Sequence, residues 1–173
     1  MKRLAKRISD SFDRLLTFTA IFTSALLIFI MLLIVYEIVM RVFIRQGQFW
    51  VLEVSEYSLL YITFLAAAWL LKREGHVKMD IFLNRLKPKA QTILNIVTST
   101  LGAGAFLLVT FYGIQVTWEY FRIGAPLPTA LEPPAFLISL AIPIGSFLFF
   151  IQLLKRIYGF TTNLKDIQES SRG

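Results

Sequence analysis

Residues 50–80 read WVLEVSEYSLLYITFLAAAWLLKREGHVKMD, and this stretch decides the fold. Tyr57 to Leu71 carries no charge, but that run is shorter than the roughly 20 apolar residues a helix needs to cross a bilayer. A spanning helix here must begin near Phe49 and take Glu53 and Glu56 into one interface. Lys72 and Arg73 then fall at the opposite interface, where their stems snorkel back along the helix. A helix acidic at one end and basic at the other sets the orientation of everything around it.

The rest of the chain agrees. Over 173 residues, 56% are hydrophobic, with a mean hydropathy of +0.65. Soluble domains hold roughly 45–50% apolar residues, broken at regular polar positions. Here four long runs are uncharged or nearly so: Leu15–Tyr36, Phe49–Leu71, Ala90–Trp118 and Pro133–Leu154. Each is long enough to cross the hydrocarbon as a helix, and no alternating ten-residue pattern suggests a membrane barrel. The expected fold is an all-α membrane protein of four transmembrane helices, over about 15–44, 49–72, 88–120 and 133–157, in one domain.

The net charge of +7 would suggest nucleic acid in a soluble protein, but its distribution points elsewhere. Of 18 Lys and Arg residues, only Arg41, Arg45 and Arg122 lie in the first and third connections. All the others flank the two ends of the chain and the middle connection, a strong positive-inside asymmetry. Both termini and the middle loop are therefore expected in the cytoplasm, and no nucleic-acid partner is implied. The partner that composition does imply is the lipid bilayer.

Cysteine is absent, which excludes disulfides, thiolate nucleophiles and Cys-ligated metals. The single histidine, His76, excludes a haem held by two histidines of this chain. No cofactor and no metal is expected.

Several segments carry local signals. In residues 1–14, Leu4, Ile8 and Phe12 recur every four residues among basic ones, as in a short amphipathic helix on the cytoplasmic surface. A basic tail that merely obeys the positive-inside rule is the equal alternative. Met79, Phe82, Leu83 and Leu86 give the middle loop a second interfacial-helix pattern. Glu37 and Arg41 sit at i,i+4 in the favourable order for an ion pair. The connection Gln46-Gly47-Gln48 is short, so helices one and two are antiparallel neighbours, and Arg41 and Arg45 are expected to meet Glu53 and Glu56 across it. Such arginines would hold the two acids ionised and make them poor proton carriers, so a structural role ranks above ion handling. His76 and Asp80 pair at i,i+4, or Asp80 caps a helix; two ligands are too few for a metal. Ser99, Gly102 and Ala103 form a small-residue face for close helix approach, matched by Ala66, Ala67 and Ala68. Pro88 suits a first helical turn, and Pro143 is expected to kink the fourth span. Trp118, Tyr120 and Phe121 look like an interfacial belt. Residues 158–173 read as a polar cytoplasmic tail.

The constellation Glu37-x-x-x-Arg41, Trp50-x-x-Glu53 and Lys72-Arg73-x-x-His76-Val77-x-x-Asp80 resembles the small membrane subunit of tripartite ATP-independent periplasmic (TRAP) transporters, the DctQ-like family. In helix number and orientation the resemblance covers about residues 15–157; its specific part is residues 37–80. At one position the chain departs: the family often shows adjacent acids after the tryptophan, whereas here Leu52 precedes Glu53 and the second acid is Glu56.

The resemblance implies a three-part uptake system in a bacterial inner membrane. A periplasmic binding protein delivers an organic acid of the C4-dicarboxylate or sialic acid type. A large membrane subunit carries it with sodium, and the small subunit is a non-catalytic scaffold. On that reading Glu37, Arg41, Trp50, Glu53 and Glu56 lock helices one and two or bind the large subunit, and Lys72, Arg73, His76 and Asp80 fix the cytoplasmic end. Two rivals remain. One is a self-sufficient oligomeric transporter or channel using Glu56. The other is a four-helix membrane enzyme using Arg73, His76 and Arg85. Neither explains the outer charges together with the cytoplasmic His-Asp pattern.

Overall fold

The computed structural model describes residues 2–45, 47–74, 88–124 and 126–170. These form five helices: α1 (Lys2–Ile44), α2 (Phe49–Glu74), α3 (Pro88–Ile123), α4 (Ala135–Ser139) and α5 (Ala141–Ser170). Four stretches are long and apolar enough to cross a membrane: Asp10–Ile44, Phe49–Arg73, Ala90–Ile123 and Ala135–Thr162.

No Gly or Pro interrupts α1 from Lys2 to Ile44, so nothing in the chain ends the helix before the turn. Residues 2–14 are thus continuous with the first span rather than a separate interfacial helix. At 1.5 Å per residue α1 is about 65 Å long, roughly twice the thickness of the hydrocarbon. It stops where Arg45 takes a left-handed φ of 57° and Gly47 follows. The expected middle-loop helix, with Met79 and Phe82, lies outside the described residues. At the far end α5 continues as helix to Ser170, through most of the expected tail.

The fourth span breaks where Pro143 requires it. Proline has no N–H to offer the carbonyl of Ser139 four residues back, so the helical hydrogen-bond ladder is interrupted between α4 and α5, while Leu140 itself keeps helical φ and ψ of −59° and −27°. Pro143 then falls in the first turn of α5, where a missing donor costs least. Helix α3 ends on Gly124, whose φ of 66° lets its N–H bond the Tyr120 carbonyl at 3.0 Å, a left-handed cap.

The helices pack in the order α1, α2, α5, α3: α2 lies against α1 and α5, and α5 against α2 and α3. One core cluster joins Leu16 of α1, Leu65 and Ala68 of α2 and Leu148 of α5. A second joins Leu71, Ala103 and Leu153, with Phe106 and Phe149 stacked at 4.1 Å beside it. Without a hydrophobic driving force between helices in lipid, small residues decide how closely they approach. A Cβ on Gly145 would sit 2.5 Å from both the Cβ and the carbonyl oxygen of Phe64, so only glycine permits this α2–α5 contact. Ser99 and Ala103 of the expected small-residue face are buried. A short polar link, Thr110 Oγ1 to Ser146 Oγ at 3.0 Å, ties α3 to α5.

Candidate functional site

The charged residues gather at the two ends of the bundle. At the end bearing the α1–α2 and α3–α4 connections, α2 holds the second connection in place. Glu53, Tyr57 and Tyr61 follow at i, i+4 and i+8, so they share one helix face. Glu53 Oε1 accepts the Ala130 N–H at 2.7 Å, and Oε2 accepts the Leu131 N–H at 3.0 Å. The Tyr57 hydroxyl lies 2.9 Å from Thr129 Oγ1, and the Tyr61 hydroxyl donates to the Leu137 carbonyl. The loop also closes on itself: Pro126 and Pro134 form a bridge, and the Leu127 N–H reaches the Pro133 carbonyl at 2.9 Å. Within it Glu132 holds a φ of 46°, a left-handed conformation that L side chains rarely adopt. The connection between α3 and α4 is therefore a fixed loop, clamped by a carboxylate.

That finding corrects the expected charge network. Arg41 and Arg45 do not meet Glu53 and Glu56 among the described residues. Arg41 turns back one helical turn to Glu37, with Nε 2.9 Å from Oε1, as the i,i+4 spacing allows. Arg45 lies at the left-handed end of α1 and joins no ion pair among the described residues. Both oxygens of Glu53 are occupied by backbone N–H groups, and Glu56 is exposed and joins no ion pair among the described residues. Trp50 donates to Gln48 Oε1 at 3.0 Å and lies 6.4 Å from the Tyr36 ring, joining the ends of α1 and α2 through aromatic contact.

At the opposite end a triad crosses three helices. Asp13 Oδ1 of α1 accepts Lys155 Nζ of α5 at 2.9 Å and lies 3.4 Å from Lys72 Nζ of α2. Lys155 also sits over the Phe12 ring, and Arg73 over Trp69, 4.8 Å from the centroid. Lys72 and Arg73 were expected at this end. Asp13 and Lys155 were not singled out, although an acid within a basic segment was a signal available in the sequence. His76 and Asp80 lie outside the described residues.

An apolar groove of about 650 Å³ lies between α3 and the fourth span. Ile114, Trp118, Phe121, Phe136 and Phe147 line it. Its threonines, Thr110 and Thr117, already bond their own helix carbonyls, so the groove suits apolar occupants.

With this geometry in place, the comparison with known families is specific. Residues 30–163, from the middle of α1 through most of α5, match the model of the tripartite ATP-independent periplasmic transporters, DctQ component. The chain belongs to the DctQ family. A Haemophilus influenzae relative described as a TRAP transporter small permease protein is 25% identical over 93 residues, 54% of this chain and 55% of that one. The C4-dicarboxylate TRAP transporter small permease protein DctQ of Rhodobacter capsulatus is 29% identical over 114 residues, 64% of this chain and 48% of that one. The chain thus spans about half the length of the curated relatives it matches. Its four stretches long and apolar enough to cross a membrane fit a multi-pass membrane protein of that family.

Proposed function

We propose that this DctQ protein is a non-catalytic scaffold for the large TRAP membrane subunit in a bacterial inner membrane. The complex takes up an organic acid, of the C4-dicarboxylate or sialic acid type, in symport with sodium. A periplasmic binding protein delivers the acid to the outer face. The end bearing Asp13, Lys72 and Lys155 faces the cytoplasm, in line with the positive-inside charge pattern, and the clamped loop at 126–134 faces the periplasm.

The single observation that carries this reading is the DctQ match over residues 30–163, which reaches into all four membrane-crossing stretches. The fixed geometry supports the scaffold role. Each end is held by interactions between helices or between a helix and a loop, with Glu53 on two loop amides and Asp13 on two lysines. Lys72 and Arg73 anchor the cytoplasmic end on this reading, with His76 and Asp80 beside them in sequence. The name of the Rhodobacter capsulatus relative supports a C4-dicarboxylate as the acid.

A mild-detergent pull-down of the tagged chain from its native membrane tests the proposal. A stoichiometric, much larger polytopic partner is the expected result. A chain that arrives alone, or only with copies of itself, contradicts it.

A further inference from the structure

The apolar groove beside α3 has the length of one bilayer leaflet. Its walls run from Thr110 to Phe121 on α3 and from Leu148 to Phe136 on the fourth span. At 1.5 Å per residue these are about 17 and 18 Å, and half of a hydrocarbon core is about 15 Å. The ends fall where a leaflet ends. Residues 90–118 of α3 carry no charge, and Glu119 and Arg122 are the first charges after them. Together with the aromatic residues Trp118, Tyr120 and Phe121 they set the hydrocarbon boundary on α3 at the Phe121 end of the groove. Thr110, at the other end, therefore lies close to the middle of the bilayer.

The walls suit an alkyl chain. Ile114, Ile144 and Phe147 face the groove and remain exposed, so it opens sideways from the bundle, and a chain seated there gains the dispersion contacts that a void forfeits. Aromatic rings frame the mouth. Phe121 meets Phe136 edge-on at 5.4 Å, and Trp118 lies 5.9 Å from Phe121.

The mouth also carries a cation. Arg122 continues the i,i+4 row of Thr110, Ile114 and Trp118, about 40° round the helix from Trp118. It is exposed and joins no ion pair among the described residues. Glu119, the other charge at this level, is exposed too and forms no ion pair with Arg122. It stands about 100° from Trp118, on the side turned away from the groove. Trp118 adds an indole N–H, a donor that interfacial tryptophans offer to the wet side of the boundary.

We propose that this groove is a phospholipid site: one acyl chain of a lipid from the leaflet at the loop end lies in it, with the lipid phosphate on Arg122 and the Trp118 indole N–H. Length and charge complementarity together carry the assignment. An apolar rod one leaflet long, ending in an anion, is the shape of a phospholipid chain joined to its phosphate. A partner's transmembrane helix is about 10–12 Å across and crosses the full core of about 30 Å, whereas this groove stops halfway. The site requires only the membrane spans and is independent of the scaffold role.

Native mass spectrometry of the chain, released from nanodiscs of phosphatidylethanolamine and phosphatidylglycerol, tests the site. The wild-type chain is expected to retain one phospholipid. Ile144→Trp and Ile114→Trp fill the groove from opposite walls and should displace it, and either one that keeps wild-type melting suffices. Phe22→Trp, on an exposed face of α1, should change nothing. Arg122→Gln should lower retention about fivefold, the effect of one basic residue beside a lipid headgroup, or roughly 1 kcal/mol. A wild-type chain released bare, or retention unchanged in both filling variants, would mean annular lipid only and overturn the site. Because the chain has no cysteine, Ile144→Cys carrying a photo-crosslinker reports the occupant in native membranes. Labelling of phospholipid is expected there. Capture of another protein chain at Ile144 instead would assign the groove to a protein interface and overturn the lipid assignment, leaving the subunit reading intact.

Discussion

Replacing Glu53 with alanine removes the clamp on the loop between α3 and α4. Two backbone N–H groups, Ala130 and Leu131, lose the carboxylate oxygens they meet at 2.7 and 3.0 Å. A hydrogen bond to a charged group is worth about 1.5–3 kcal/mol when its partner is lost in the interior. This loop lies at an end of the bundle, where water replaces part of each bond, so the two together are worth about 1.5–3 kcal/mol rather than twice that. At 1.4 kcal/mol per factor of ten, the opened loop becomes about 10- to 100-fold more populated. Amide hydrogen exchange on the purified protein in nanodiscs measures this directly. Peptides covering residues 126–134 should lose protection by that factor in Glu53→Ala. Glu53→Gln, with a single acceptor oxygen, should lose less, and the α2–α5 contact around Gly145 should not change. Equal protection in wild type and Glu53→Ala would refute the clamp, leaving Pro126, Pro134 and the Tyr57–Thr129 contact to hold the loop unaided.

Three further outcomes follow from the geometry. Asp13→Asn leaves Lys72 and Lys155 facing each other without their anion. With this half-exposed site ranked between surface and buried pairs, the loss is about 1–2 kcal/mol, or a fall of about 2–8 °C in the melting temperature of the detergent-solubilised chain. Gly145→Ala places a methyl 2.5 Å from Phe64 Cβ and its carbonyl oxygen and forces α2 and α5 apart, at about 1–3 kcal/mol. The companion change Phe64→Ala should not rescue it, because the backbone clash remains; a monodisperse Gly145→Ala protein with wild-type melting would contradict the packing. Arg41→Ala removes an i,i+4 pair in which Arg41 is exposed and the Glu37 side chain is mostly covered, and should cost about 0.5–1 kcal/mol of chain stability. A larger loss on thermal unfolding would mean that Arg41 has an additional partner.

The sequence made the spans legible because each rests on a long apolar run, and the Glu37–Arg41 pair because its partners are one turn apart. Pro143 announced the break in the fourth span through its missing donor. The role of Glu53 was not legible. Its partners are main-chain amides 77 and 78 residues away, and a backbone N–H leaves no trace in residue identity. The expectation of an arginine partner followed charge and the short turn at 46–48, whereas the orientation of α2 turned the carboxylate toward the other loop. Asp13 was hidden for a related reason. Its two lysines lie on α2 and α5, and only the packing of α2 between α1 and α5 brings them to one level. Gly145 is similar: no local pattern reveals that the backbone of Phe64 lies against it.

The most direct test of the scaffold account is transport in proteoliposomes. Vesicles would carry the large partner alone, this chain alone, or both, with the binding protein outside and an inward sodium gradient. The account predicts uptake of the labelled organic acid only when both chains are present, and none by this chain alone. Sodium-driven uptake by the isolated chain, abolished in Glu56→Gln, would contradict it and make this protein the transporter itself.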